Sequence, residues 1–255
     1  MRIAVTRELS ASIVRCELTH RQREPIDLAL ARRQHHAYEQ ALRALGLHVL
    51  ALPALDHLPD AVFVEDTAVV VDEVAVLANP GAASRRPEIE EMVPVLSRYR
   101  RLERLPPGAT LDGGDVVQAG QTLYVGLSRR TNQAAVEGLG MIMVPHGYRV
   151  VGVPLTGCLH LKTACTRLGP EELLVNRNWV DPTRFAGLRP VDVPAEEPDG
   201  GNVLTIDGSV VLPEEHSRTA DLLERRGWHT VRVPTSELIK AEAGVTCGSI
   251  IFFNT

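Results

Sequence analysis

The sequence predicts an α/β fold in which five strand pairs form a closed, propeller-like ring with helices outside it. A pattern recurs about every 45 residues: a polar or glycine start, an apolar strand, a turn and a second apolar strand. Helical patterns follow most of these strand pairs. A fixed period of this length is typical of repeat architectures, which place equivalent positions around one axis. The first and last strands each lack a partner in their own segment, so we expect them to share one blade and close the ring.

The N-terminal part of the chain supplies the first elements. RIAVT, from Arg2, is predicted to be a strand, because Arg7 and Glu8 end its apolar run too early for a signal peptide. Residues Pro25–Leu45 place apolar side chains at helical spacing and predict an amphipathic helix. The strand HVLALP follows at His48.

Five later segments carry the repeat, and most of them predict a hairpin. They begin at Phe63, Leu111, Cys158, Asp199 and Gly244. Short turns are predicted at Asp72-Glu73, Ala119-Gly120 and Asp207-Gly208, and a longer one at Leu168-Gly169-Pro170. The Asp-Gly pair is the strongest hairpin signal among them. Helices are predicted at Pro87–Tyr99, Arg130–Met141 and Ser217–Gly227.

Composition indicates one globular domain spanning residues 1–255. The chain is 44% hydrophobic and 23% charged, which is ordinary for a soluble protein. Its net charge of −5 gives no electrostatic footprint for nucleic acid or for an anionic membrane. No apolar stretch reaches the ~18 residues of a membrane span. We therefore expect a small molecule as the partner.

The four cysteines are irregularly spaced in a chain that is not small, which favours reduced thiols and a cytoplasmic location. Cys158, His160 and Cys165 lie close in sequence, but their spacing matches no common zinc site. The sequence therefore predicts no metal and no cofactor.

The repeats bring together residues of a thiol active site. Their first polar or reactive side chains are Glu65, Asp112, His160, Asn202 and Cys247. Cys247 is the candidate nucleophile, because Gly244 and Gly248 let the backbone bend beside it. His160 is the candidate general acid and base, and Asp112 would orient its imidazole. Taken singly, these residues also fit a buried thiol, a core histidine and a tight turn.

Several motifs together resemble one enzyme family. FVEDTAVV, PGAASRR, LDGGDV with YVGLSRRTN behind it, LHLKT and TCGS occur in the order and spacing of dimethylarginine dimethylaminohydrolases, over essentially the whole chain. The resemblance implies a five-bladed α/β-propeller (pentein) of ββαβ units. It also implies a hydrolase that converts Nω-methylated arginine to citrulline and methylamine or dimethylamine, with Cys247 as nucleophile, His160 as acid/base and Asp112 as the supporting carboxylate.

The resemblance also assigns substrate-binding residues. They are Leu18, Asp60, Glu65, Asp66, Arg85, Arg130 and Ala241. The three acidic residues would hold the guanidinium and amino groups, and the two arginines the substrate carboxylate. Leu18 falls in the family's flexible lid, here around Ser10–Glu24, and Ala241 falls where a backbone contact is made. The AEAG stretch departs from the family pattern, so a role for Glu242 stays open.

Three alternatives differ in chemistry. Arginine deiminases carry an aspartate two residues after the catalytic histidine, where this chain has Lys162, and they are far longer. Amidinotransferases also run longer. A non-catalytic amino-acid-binding propeller would have a broken triad, whereas all three positions are intact here. The sequence leaves the oligomeric state open, with a homodimer as one option.

Overall fold

The computed structural model describes residues 1–254, and in them five three-stranded sheets form five blades. The strands are β1 (Arg2–Arg7), β2 (His48–Leu52), β3 (Ala68–Val70), β4 (Val74–Leu77), β5 (Arg101–Arg104), β6 (Val116–Ala119), β7 (Thr122–Leu127), β8 (Arg149–Pro154), β9 (Cys165–Arg167), β10 (Glu172–Val175), β11 (Arg189–Asp192), β12 (Leu204–Ile206), β13 (Ser209–Pro213), β14 (His229–Val233) and β15 (Ile250–Phe253). The helices are α1 (Leu28–Ala44), α2 (Glu88–Leu96), α3 (Gln133–Met143), α4 (Leu161–Ala164), α5 (Ser217–Arg225) and α6 (Ser236–Ile239).

Every blade has the same strand arrangement. The middle strand pairs antiparallel with an inner strand and parallel with an outer strand, as in β3-β4-β5. In the first blade the middle strand is β1, which pairs antiparallel with the C-terminal β15 and parallel with β2. The two ends of the chain therefore complete one blade and close the ring, as the sequence predicts.

The structure forms the hairpins that the sequence predicts, with one turn displaced by a residue. Asp207 and Gly208 both have positive φ, 45° and 86°, which is the backbone of a two-residue hairpin turn whose twist matches its strands. The turn after β3 falls at the predicted pair. The two-residue turn after β6 is Gly120-Gln121, one residue later than predicted, because Ala119 still pairs with Thr122. The strand register is thus set by local turn chemistry and by burial of one strand face.

Four blades carry the predicted helix between their middle and outer strands, and the fourth does not. Between β10 and β11 the chain forms only a 3₁₀ turn at Pro182–Arg184. Phe185 then inserts into the core and packs on Tyr124, with ring centroids 4.7 Å apart. A buried aromatic side chain replaces the helix as the cover of this blade, so the ββαβ unit is incomplete there.

Apolar clusters between neighbouring blades form the core. One of them joins β3 and β4 to β6, β7 and α3, and includes Leu111, Leu139 and Met143. Burial of such side chains contributes roughly 1.5–3 kcal/mol each before the entropy cost of ordering them. Among the helices of residues 1–254, none is long and apolar enough to cross a membrane.

Short helical turns precede the inner strands and position the reactive side chains. Asp112 stands just before the turn Gly113–Asp115 that leads into β6, and His160 just before α4, which leads into β9. Cys247 lies three residues before β15. The loops before the inner strands therefore meet at one end of the ring axis.

Candidate active site

His160 and Asp112 form a buried pair across two neighbouring blades. Nε2 of His160 lies 3.1 Å from Oδ2 of Asp112, and the other Asp112 oxygen accepts the N–H of Gly81 at 3.0 Å. Burial alone would lower the pKa of His160, but the carboxylates of Asp66, Asp115 and Asp112 outweigh it and raise the pKa to about 9. The imidazole is therefore protonated at neutral pH, as a general acid must be.

Asp66 lies on the other side of the imidazole. One of its oxygens is 3.8 Å from Nδ1 of His160 and accepts the N–H of Gly114 at 2.9 Å. The other oxygen lies 2.5 Å from Arg85. Burial opposes ionisation, but His160 and Arg85 lower the pKa of Asp66 to about 2. The carboxyl groups of Asp66 and Asp112 thus lie on opposite sides of one imidazolium.

Cys247 is the half-buried cysteine of this chain, whereas Cys16, Cys158 and Cys165 are buried. Its thiol packs in one apolar cluster with Leu18 and Ala241. Burial, and then the negative charges of Glu65 and Asp66, raise the pKa of Cys247 above its usual value. The thiol is therefore neutral until a cation binds beside it.

One small cavity contains most of the predicted site. Its lining includes Asp60, Asp66, Arg85, Arg130, His160, Ala241 and Cys247. Glu17 and Glu242 also line it. Its volume is about 20 Å³, close to the room that one water needs and far below that of pockets for small ligands. A substrate must therefore displace the residues that cover it.

The two arginines in this cavity have different surroundings. Arg85 is buried and bonds to both Asp66 and Glu88, as well as to the carbonyl oxygens of Asp60 and Phe63. Arg130 makes one side-chain hydrogen bond, from Nη2 to the Thr19 hydroxyl at 3.2 Å, and its Nη1 is 3.8 Å from Asp112. The Arg130 guanidinium thus keeps more donors available for a ligand carboxylate.

Glu65 is placed differently from the other predicted residues. Its oxygens bind Lys162 Nζ and the Thr246 hydroxyl, each at 2.7 Å. Both Glu65 and Lys162 line a second cavity of about 640 Å³, which extends along the inner strands toward their hairpin turns. Burial raises the pKa of Glu65, and Lys162 opposes that rise. The Glu65–Lys162 pair therefore forms the floor between the two cavities, and the Glu65 side chain does not line the Cys247 cavity.

Asp115 is a site residue that the sequence argument missed. It is fully buried, accepts the N–H of Leu161 at 2.9 Å and accepts the hydroxyl of Ser128 at 2.7 Å. The Ser128 hydroxyl oxygen in turn accepts the N–H of Arg130. Burial raises the pKa of Asp115 to about 6, against the charge of His160. The second aspartate of LDGGD thus joins the loops that carry His160 and Arg130, and its place in that motif was the available signal.

A metal ion would have to compete with these hydrogen bonds. Among residues 1–254, donor atoms of Asp66, Asp112 and His160 lie within 4.8 Å of one another. The Arg85 guanidinium is 2.5 Å from Asp66, and its positive charge disfavours a second cation there. The donor set fits a protonated imidazole better than a metal.

Comparisons with known proteins identify a single family. The family described as N,N dimethylarginine dimethylhydrolase, eukaryotic, matches residues 7–181. The N(G),N(G)-dimethylarginine dimethylaminohydrolase of Streptomyces coelicolor is 39% identical over 97% of this chain and 95% of its own length. This chain belongs to the dimethylarginine dimethylaminohydrolase family. The enzyme of that name from Pseudomonas aeruginosa is 33% identical over 89% of this chain and 90% of its own.

A solved structure gives the same family and fold. A cysteine-to-serine mutant of the P. aeruginosa dimethylarginine dimethylaminohydrolase, complexed with citrulline, superposes with a TM-score of 0.93 at 31% identity and covers 98% of both chains. The fold is thus the five-bladed α/β-propeller of this family, as the sequence predicts.

Gly114 offers a test of how tightly the imidazole is held. A Cβ at this position would lie 2.7 Å from His160 Nδ1 and 2.8 Å from Asp66 Oδ1, so Gly114→Ala must displace one of them. We expect kcat for this family's reaction to fall by about 10²-fold, because misplacement of a catalytic group by an ångström has an effect of that size. Steady-state kinetics measure the change.

Gly140→Ala is the matched control. Gly140 lies inside α3, where an added Cβ meets nothing within 4 Å. We expect kcat to be unchanged and the free energy of unfolding to rise by about 0.5–1 kcal/mol, because alanine favours a helix interior. Equal activity of the two alanine variants would contradict the argument.

Proposed function

We propose that this protein hydrolyses asymmetric dimethylarginine and monomethylarginine to citrulline and dimethylamine or methylamine, through a covalent intermediate on Cys247. One observation carries the proposal: a thiol and an imidazolium between two carboxylates line a cavity that also holds Arg130. Attack on a guanidinium needs a nucleophile, a proton donor for the departing amine and charges that hold a zwitterionic cation. The Cys247 cavity supplies all three.

Binding precedes ionisation of the nucleophile. Arg130 binds the substrate carboxylate. Arg85 holds the Asp66 carboxylate in place through their ion pair. Asp60 and Asp66 hold the amino and guanidinium groups, and Ala241 offers its backbone. Leu18 covers the substrate from the lid. The bound guanidinium and the imidazolium then favour the thiolate, so the Cys247 thiol releases its proton to solvent as the substrate binds.

Two proton transfers by His160 complete the reaction. The thiolate attacks the guanidinium carbon, and His160 donates its proton to the methylated nitrogen, which leaves as a neutral amine. Asp112 holds Nε2, so the Nδ1 proton is the one donated. The neutral imidazole next removes a proton from water. The resulting hydroxide attacks the thiouronium carbon. As the C–S bond breaks, the hydroxyl proton passes to the sulfur, which gives citrulline and restores the neutral Cys247 thiol and the His160 imidazolium.

Lys162 favours a methylated substrate over arginine. Its ammonium is bonded to Glu65 and to the carbonyl oxygen of Gly113, in the floor below Cys247. A deiminase needs a carboxylate near this position to hold the unsubstituted guanidinium nitrogens. We propose that Glu65 acts here as the partner of Lys162 and supports the Thr246-Cys247 backbone, rather than holding the guanidinium directly.

The deciding experiment is citrulline formation by the purified protein with arginine, monomethylarginine and asymmetric dimethylarginine in parallel. We expect turnover of the two methylated substrates and at most weak turnover of arginine. Turnover of arginine alone would make this protein a deiminase and the interpretation of Lys162 wrong. No citrulline from any of the three would contradict the proposed function.

We also propose that the whole chain acts as one catalytic unit, because Cys247, His160 and Asp112 come from three blades. All four cysteines are free, which supports the predicted cytoplasmic location. A homodimer, and the lack of nucleic-acid or membrane partners, stay predictions from the sequence.

A further inference from the structure

We propose that Glu242 is the positioning residue that holds the lid closed over the substrate, and that through the lid it places Thr19 against Arg130. The inference rests on the proposed function, and it assigns a task to a residue of the AEAG stretch that the family pattern leaves open. Glu242 follows Ala241 directly and lines the Cys247 cavity.

The Glu242 carboxylate accepts hydrogen bonds from three successive backbone N–H groups of the lid. Thr19 donates to both carboxylate oxygens, at 3.0 and 2.9 Å, and His20 and Arg21 donate to Oε1. Successive N–H groups that converge on one anion form a recognised anion-binding arrangement. Such charge-assisted bonds are about twice as strong as neutral ones. No other side chain joins the lid to the C-terminal loop by so many bonds in the part of the chain that the structure describes.

The backbone at Glu242 is strained. Its φ is 60°, in the left-handed region that favours glycine. Among residues 1–254, Asp207 is the other non-glycine residue with positive φ, and it sits in a hairpin turn where that conformation is expected. A left-handed non-glycine residue is energetically unfavourable and persists where its surroundings compensate for the strain. At Glu242 the compensation comes from the hydrogen bonds of the three lid N–H groups.

The closed lid engages the groups that would hold substrate. The Thr19 hydroxyl accepts from Arg130, and the N–H of Glu17 donates to both oxygens of Asp60, each at 3.2 Å. The remaining cavity has room for about one water, so the lid must open before an amino acid can enter. Glu242 therefore sets the equilibrium between the open and the closed lid.

We call the hydrogen bonds between the Glu242 carboxylate and the lid the latch. Weakening this latch should raise KM more than it lowers kcat. The lid covers the substrate in both the ground state and the transition state, so its loss removes uniform binding. Replacing a charged acceptor by a neutral one costs roughly 1.4 kcal/mol, which corresponds to about a tenfold higher KM. For Glu242→Gln we expect that increase, with kcat within about threefold of the wild type. Glu242→Asp keeps the charge and should give an intermediate KM.

Glu242→Gly separates the latch from the backbone. Glycine adopts the left-handed conformation without strain, so this variant should fold with a melting temperature equal to or above that of the wild type. It has no carboxylate, so its KM should rise at least as far as that of Glu242→Gln. A residue with only a structural task would show the opposite pattern, in which relief of strain leaves KM unchanged.

Limited proteolysis measures how often the lid opens, independently of catalysis. Trypsin cuts after arginine, and Arg21 and Arg23 lie within the lid. We expect cleavage at these two sites, identified by intact mass, to be several-fold faster in Glu242→Gln and Glu242→Gly. The control is Glu171→Gln, which removes an exposed glutamate paired with Arg189 far from the lid. It should match the wild type in KM and in cleavage rate.

The two readouts keep the proposals apart. Unchanged KM together with unchanged lid cleavage in both Glu242 variants would overturn the latch. If the wild type forms no citrulline, the proposed function fails, and the proteolysis comparison still decides whether Glu242 holds the lid.

Discussion

Replacing Cys247 by serine is expected to lower citrulline formation from methylated arginine by on the order of 10³-fold or more, because loss of the nucleophile removes the covalent pathway. A serine hydroxyl is far less acidic than a thiol, and the cavity holds His160 protonated, so no base is available to activate it. The substitution changes one atom, and the site should still bind substrate. Steady-state kinetics and a binding measurement on the same variant check both statements.

The binding measurement distinguishes loss of chemistry from loss of the site. Isothermal titration of Cys247→Ser with asymmetric dimethylarginine should give a dissociation constant close to the KM of the wild type. Cys165→Ser is the control thiol, since Cys165 is buried in the core away from the cavity and its loss should leave kcat unchanged. A Cys247→Ser variant that keeps more than a tenth of the activity would contradict covalent catalysis at this residue.

The repeat gave the architecture because strand alternation and turn chemistry are local. Asp207-Gly208 fixes its hairpin through the backbone of two residues, and the apolar faces of the strands fix what each hairpin buries. The partnerless strands at the two ends could only be satisfied by each other, which predicted the β1–β15 pair. These inferences need no knowledge of distant side chains.

The fourth blade departs from the repeat because it lacks a helix between its middle and outer strands. Between Val175 and Arg189 the sequence offers no helical period, yet a period of strands and helices suggested one. Instead, the Phe185 side chain packs against Tyr124 in the core. This contact joins two blades, and sequence spacing cannot predict it. Tertiary packing decided this element.

The sequence predicted which residues form the site better than it predicted where their side chains point. Lining up the repeats identified Cys247, His160 and Asp112, whose loops do meet at one end of the axis. The alignment could not tell which side of the floor each side chain faces, so Glu65 was grouped with Asp66 although their carboxylates face different cavities. Glu65 and Asp66 are consecutive in the 3₁₀ turn Val64–Thr67, where successive side chains point about a third of a turn apart.

The lid contacts join distant parts of the chain and could not be predicted from the sequence. Glu242 and Thr19 lie 223 residues apart, and their bonds involve backbone N–H groups that have no sequence signature. Asp115 was hidden for another reason, because its neighbour in LDGGD already explained the motif as a turn or a triad member. Buried carboxylates that support loops are recognisable once their donors are known.

Replacing His160 by glutamine is expected to lower kcat by about 10²–10⁴-fold, the usual contribution of a general acid and base. Glutamine can still donate to Asp112 but carries no proton for the departing amine. In the wild type the imidazolium is lost as the pH rises through about 9, so kcat/KM should fall above that pH. That alkaline limb should be absent from the residual activity of His160→Gln, and its persistence would assign the acid to another group.

The pH dependence of the folding stability should also reflect the protonation of His160. The folded protein raises the pKa of His160 from 6.5 to about 9, so the imidazolium stabilises the fold fully below pH 6.5 and loses this contribution as the pH rises through about 9. Between pH values of about 6 and 9.5, the melting temperature of the wild type should therefore fall further than that of His160→Gln. Equal losses in the two proteins would mean that Asp66 and Asp112 do not hold the proton on His160. In that case nothing in the site would explain why His160, among the nine histidines of the chain, is protonated when the amine departs.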